Sequence, residues 1–163
     1  CGHRGVPRGR RGSITRAAER GAKIRLDGRG QQRAGNYVAA TLIDGITRED
    51  ECANDEIFGP VLSILRVKTL DEAIAIENAN PYGNAACIYT TSGATARYFE
   101  MRAEAGMIGV NIGVPAPMAY FPFSGWRESF FGDLHAQGFH GIEFYTETKV
   151  IIERWPKEWS RKF

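Results

Sequence analysis

The sequence predicts an α/β protein built from parallel βαβ units. Strand-like and helix-like stretches alternate from Tyr37 to Ile112. The turns between them are short. One strand, "VLSILRV" at 61–67, is apolar on both faces, as a central parallel strand is.

"YVAATLI" at 37–43 reads as the first strand and "VLSILRV" as the second. "TLDEAIAIENANPYG" predicts a helix opened by a T-x-x-E capping box, Thr69 and Glu72, and stopped at Asn80-Pro81-Tyr82-Gly83. "AACIYTT" is a third strand. "SGATARYFEMRAEAG" is a second helix, capped by Ser92 and closed by Gly106 at C′. "MIGVNI" is a fourth strand. Ligands of such sheets bind beyond the carboxyl ends of the strands.

After Asn111 the pattern changes. Residues 113–133 hold three prolines, four phenylalanines, a tyrosine and Trp126, too much Pro for regular structure and enough aromatic surface to predict burial. A long ordered loop of this kind is usually functional or an interface. "LHAQGFHGIEF" predicts a short helix. The tail "YTETKVIIERW" predicts a terminal strand, an edge that invites pairing with another chain.

The chain has 163 residues, 43% hydrophobic and 25% charged, enough to build a core. No apolar run approaches the ~20 residues of a membrane span, and no secretory signal is evident. The expected location is the cytoplasm, with the mitochondrial matrix second. The net charge of +2 hides an asymmetry: residues 1–34 carry ten Lys/Arg against two acids, and the remainder carries eleven against seventeen. The basic segment, 1–17, is expected to be a solvated, poorly ordered terminus, because its glycines and Pro7 spoil an amphipathic helix. A nucleic-acid arm is the weaker reading, since the segment lacks interleaved aromatics.

Cysteines stand at 1, 52 and 87. An odd count without CxxC suggests neither a disulfide framework nor a zinc site. The acidic neighbours of Cys52 disfavour a thiolate, and Cys87 reads as a small buried hydrophobe. His135 and His140, five apart, do not share a helix face as metal ligands would.

The stretch "NDEIFGPVLSI" sets a carboxylate and an aromatic at the mouth of a buried strand. "DEIFGPV" resembles the aldehyde dehydrogenase superfamily. The resemblance implies that Glu56 accepts hydrogen bonds from the nicotinamide-side ribose of NAD and that Phe58 packs beside that ribose and the nicotinamide. An ionised carboxylate is acceptor-only and suits a ribose diol. "NPYGNAACIYTTSGATARYF", "FPFSGW" and "SFFGDLHA" are similar to one branch, the methylmalonate- or malonate-semialdehyde dehydrogenases (CoA-acylating). The similarity runs over about residues 18–159 and corresponds to the C-terminal part of that family's catalytic domain.

The resemblance implies oxidation of a small acidic aldehyde by a cysteine thiolate, with NAD as cofactor and coenzyme A as co-substrate. It implies a homo-oligomer formed through the last strand. The expected organisation is therefore a basic segment at 1–17, a partial catalytic domain at 18–145, and an oligomerisation strand and tail at 146–163. The family's nucleophilic cysteine lies upstream of the Glu-x-Phe motif, and none of the three cysteines matches it. No catalytic residue is transferred, and the isolated chain is expected to be inactive. The alternatives are a non-acylating dehydrogenase of another acidic aldehyde and a non-catalytic assembly module. Asn111 suits a ligand-facing loop or a structural hydrogen bond equally. Phe121, Phe123 and Phe130 suit a substrate tunnel or core.

Overall fold

The computed structural model describes residues 6–30, 37 and 39–155. In chain order the elements are α1 (Val6–Glu19), β1 (Lys23–Leu26), β2 (Thr41–Ile46), α2 (Glu51–Asn54), β3 (Val61–Leu65), α3 (Leu70–Asn78), β4 (Tyr82–Gly83), β5 (Ala85–Ile88), α4 (Gly93–Arg102), β6 (Met107–Val110), β7 (Trp126–Arg127) and α5 (Gly138–Phe144). Among the described residues, no helix is long and apolar enough to cross a membrane.

Two hydrophobic clusters organise the chain. The first forms where Ile43 and Ile46 of β2 meet Ile14 and Ala17 of α1 and Cys52 of α2. Here the expectation of a poorly ordered segment at 1–17 is corrected over 6–17: α1 spans Val6–Glu19, and Ile14 is fully buried, while residues 1–5 lie outside those described. Gly9 and Gly12 lower helix propensity, but burying one apolar stripe against a sheet outweighs that cost. Arg16 then ties α1 to α2. Its Nε donates to Glu51 Oε2 at 2.6 Å and its Nη2 to Oε1 at 2.5 Å, which holds the Glu51 carboxyl below its usual range.

β1, β2 and β3 form one sheet in that order, with β1 antiparallel and β3 parallel to β2. β1 is an element that the pattern reading did not include. Its four residues, Lys23 to Leu26, alternate but are too few to stand out as a strand, and it takes its place by pairing with β2 through Ile24↔Ile43. The return from β1 needs Gly28, where a Cβ would lie 2.1 Å from the Ala39 carbonyl oxygen.

The second cluster joins Ile74 of α3, Phe99 of α4 and Ala86 of β5. β5 and β6 are parallel, in the register Ala85↔Met107 to Ile88↔Val110. The expected parallel pairs are present, but they do not lie in one sheet: β3 pairs with β2, and β5 with β6. Apolar alternation fixes which face of a strand is buried and leaves its neighbour to the tertiary packing. Both expected helix caps form. Thr69 Oγ1 accepts from Glu72 N at 3.2 Å, and Ser92 Oγ from Thr95 N at 3.2 Å. The return arm of the box reaches one residue further back, with Lys68 N donating to Glu72 Oε2 at 2.9 Å. Gly106 is not a C′ residue. α4 ends at Arg102, and Gly106 is small because the Gly125 backbone nitrogen lies 2.5 Å from where its Cβ would be.

The aromatic loop 113–133 contains β7, which pairs antiparallel with β4. Burial of its rings is not observed: Phe121, Trp126 and Phe131 are exposed, Phe131 at 96%. The predicted short helix is confined to α5. The predicted terminal strand has no ladder with the described residues over 146–155, and Val150, Ile151 and Ile152 are exposed. A strand needs a partner to complete its hydrogen bonds, and these residues find none among the described residues. Residues 156–163 lie outside those described.

Candidate functional site

α2 lasts one turn and ends where Asp55 takes an extended conformation, with Asp55 N donating to Glu51 O at 2.8 Å. Two residues on, Ile57 packs against the first cluster and anchors the segment. Its neighbours on either side, Glu56 and Phe58, are exposed. Phe58 is 78% exposed and has φ of 50°. A bulky residue in the left-handed region is a strained conformation, of the kind found at ligand-holding sites. Beyond it, Val61 N donates to Gly59 O at 2.7 Å, and Thr41 N to Pro60 O at 2.9 Å. The chain therefore turns tightly about Pro60 and enters β3 with its register on β2 already set.

Glu56 stands on the wall of an open cleft of about 480 Å³. Residues 53–56 form one side, and Asn80, Tyr82 and Ser129 lie on the other. Phe58 does not line this cleft, so the structure sets the two predicted site residues on one segment but not in one cavity. Glu56 makes no hydrogen bond or ion pair with the described residues, which leaves both carboxylate oxygens available as acceptors.

The cysteines behave as structural residues. Cys52 is buried, and burial pushes its thiol up; the negative charges of Asp50 and Glu51 add to this, while a Ser63 hydrogen bond opposes it. The acidic neighbours named by the sequence thus act in the expected direction, but burial is the larger cause. Cys87 is half-buried rather than buried. Cys1 lies outside the described residues.

Asn111 has φ of 56° and closes a two-point clamp between the carboxyl ends of β5 and β6. Its Oδ1 accepts from Thr90 N at 2.9 Å, and its Nδ2 donates to Thr90 O at 3.0 Å. Each polar atom makes one bond to Thr90, which supports the structural reading without using up the amide's capacity. His135 stacks on Phe130 at 4.1 Å between ring centroids, and its backbone N–H donates to His140 Nδ1 at 3.4 Å. Among the described residues no group of three His, Cys, Asp or Glu is placed to hold a metal ion. Phe123 and Phe130 are half-buried and Phe121 is exposed, so they form no closed core.

Sequence reasoning treated Asn80 only as part of a helix stop. Its Nδ2 in fact donates to the Ala53 carbonyl at 3.2 Å, across the cleft from Glu56. Arg127, with φ of 55°, donates from Nη1 to Asn80 O at 2.5 Å and forms an ion pair with Glu104. An Asn before Pro gives no sequence signal for so distant a partner.

Residues 9–151 match the aldehyde dehydrogenase family model, and the chain belongs to that family. It is 54% identical over 149 residues to malonate-semialdehyde dehydrogenase 2 of Bacillus thuringiensis (strain Al Hakam), covering 90% of this chain and 31% of that protein. It is 53% identical over 138 residues to malonate-semialdehyde dehydrogenase 2 of Geobacillus kaustophilus (strain HTA426), covering 83% and 28%. Among solved structures, the methylmalonate-semialdehyde dehydrogenase of Oceanimonas doudoroffii superposes with a TM-score of 0.89 at 43% identity, covering 94% of this chain and 32% of that one. A Sinorhizobium meliloti 1021 protein assigned as a methylmalonate-semialdehyde dehydrogenase, complexed with NAD, gives 0.90 at 39% identity, covering 95% and 32%. The chain thus spans about a third of the length of these relatives.

Proposed function

We propose that this chain is the C-terminal part of an NAD-dependent, CoA-acylating dehydrogenase that converts malonate or methylmalonate semialdehyde to acetyl-CoA or propionyl-CoA. The observation that carries the reading is Glu56: a partner-free carboxylate held between the end of α2 and the anchored Ile57, two residues from the strained, exposed ring of Phe58. NAD, when bound, supplies the hydride acceptor. Glu56 would accept hydrogen bonds from the two ribose hydroxyls and so orient the nicotinamide end, and Phe58 would keep water from it. The resemblance puts the family's nucleophilic cysteine upstream of the Glu-x-Phe motif, and the buried Cys52, its thiol pushed up, is a poor substitute for it. The isolated chain then does not turn over.

The catalytic part begins with α1 rather than after it, and residues 146–163 serve oligomerisation. The exposed Val150, Ile151 and Ile152 also favour a second reading, a non-catalytic assembly module that pairs with a full-length partner.

One experiment separates these readings. NADH formation from malonate semialdehyde, NAD and CoA is measured for the chain alone and for the chain joined to the rest of the Bacillus thuringiensis relative, the roughly two thirds of its length that the chain does not cover. The reading predicts no turnover by the chain alone and CoA-dependent turnover by the joined protein. CoA-independent turnover would identify a non-acylating dehydrogenase. A well-folded joined protein without turnover would favour the assembly module.

A further inference from the structure

We infer that Asn80 is a positioning residue for Glu56, acting through the last turn of α2; its link to a cofactor rests on the function proposed above. A four-residue helix leaves its final carbonyls without intrahelical partners. The Glu51 carbonyl is satisfied by Asp55 N at 2.8 Å. The Ala53 carbonyl is satisfied from outside, by Asn80 Nδ2 at 3.2 Å, across 27 positions of sequence.

The orientation of the Asn80 amide is fixed by its own network. Oδ1 accepts from Tyr82 N at 2.9 Å, so the NH2 group must face Ala53. The Asn80 carbonyl is held in turn by Arg127 Nη1, and the neighbouring Pro81 carbonyl by Glu128 N at 3.2 Å. Gly83 N donates to Ser129 Oγ at 3.1 Å. The segment bearing Asn80 is therefore braced by the aromatic loop.

This contact joins the two halves of the fold. Ala53 packs on the first hydrophobic cluster, whereas Asn80 follows α3, which packs in the second. Ala53 and Asn80 also face each other in the cleft that Glu56 lines. Two residues, Asn54 and Asp55, separate Ala53 from Glu56, and Ile57 pins the far side. The Asn80 bond thus fixes the near end of the short span that aims the carboxylate.

Amide hydrogen exchange on the 163-residue chain tests this, comparing Asn80→Asp and Asn80→Ser with the wild type. Asn80→Asp keeps an acceptor for Tyr82 N and, ionised at neutral pH, has nothing to donate to Ala53; the hydroxyl of Asn80→Ser can donate but is one bond shorter than the Asn80 amide and stops short of the Ala53 carbonyl. Exchange at Ala53 and Asp55, the hydrogen-bonded α2 amides, is expected to quicken by about three- to tenfold, the effect of one lost hydrogen bond. Amides in the β2–β3 and β5–β6 ladders, which report folding, are expected to be unchanged. In the joined protein, the same variants are expected to raise KM for NAD while leaving kcat and the aldehyde KM in place. Unchanged exchange at Ala53 and Asp55 would overturn the inference. So would quickened exchange with an unchanged KM for NAD where Glu56→Gln raises it. If Glu56→Gln itself leaves KM unchanged, the proposed function fails instead, and with it the cofactor half of this inference.

Discussion

Arg66 grips Asp44 at two points: its Nε donates to Oδ1 at 2.9 Å and its Nη2 to Oδ2 at 3.0 Å. Asp44 lies in the middle strand with its side chain buried, and Arg25 reaches it from β1, with Nε 3.0 Å from Oδ2. The sheet is thus cross-tied by one carboxylate and two guanidinium groups.

These contacts predict an acid limit. Hydrogen bonds from Arg66, then Arg25, lower the Asp44 carboxyl from 3.8 to about 2, against the opposing cost of burial. The folded state binds this proton more weakly than the unfolded chain does. The contribution is therefore complete above pH ~4 and is lost as pH falls through about 2. Tm measured from pH 6 down to pH 2 should drop in the acid range for the wild type. Asp44→Asn should start lower and lose less over the same range. Parallel curves for the two proteins would contradict the assignment.

Ile14 tests whether α1 belongs to the fold. It is fully buried against β2 and α2. Ile14→Ala should cost about 2–5 kcal/mol in urea unfolding, as cavity-forming core substitutions do. A loss below about 0.5 kcal/mol would return the segment to the surface class.

Phe58 should carry a cost in stability for its conformation. With φ of 50° and 78% exposure, it has little packing to lose. Phe58→Gly should leave the chain as stable as the wild type or more so, by up to about 1 kcal/mol, because glycine enters the left-handed region without penalty. A clear destabilisation would mean that the ring is held by the fold rather than offered to a ligand.

Cys52 should resist alkylation. Burial protects the thiol and raises its pKa. Peptide mapping after iodoacetamide treatment at pH 8 should find Cys52 labelled slowly in the folded chain and rapidly in urea. Fast labelling in the folded chain would reopen it as a nucleophile.

Much of this architecture was legible because local chemistry specified it. Thr69 and Ser92 cap the helices they precede, and the apolar runs at 61–65, 85–88 and 107–110 form strands. The turn that carries the proposed site was legible for a similar reason: Glu56, Phe58, Gly59 and Pro60 are close enough in sequence to be recognised together. What escaped was set by distant partners. α1 was hidden by its glycines and arginines because Ile14 and Ala17 matter only once β2 lies beneath them. The division into separate sheets depends on which edges meet. The aromatic loop reads as core by composition, but its rings face outward in a chain about a third as long as its relatives. Asn80 looked like punctuation because its amide acts on Ala53, 27 positions away.

The most direct measurement is KM for NAD in the joined protein carrying Glu56→Gln. Loss of the carboxylate charge should weaken both ribose hydrogen bonds and raise KM roughly 10- to 100-fold. Tm should be unchanged, since Glu56 has no protein partner among the described residues. An unchanged KM in a folded, active protein would contradict the account at its centre.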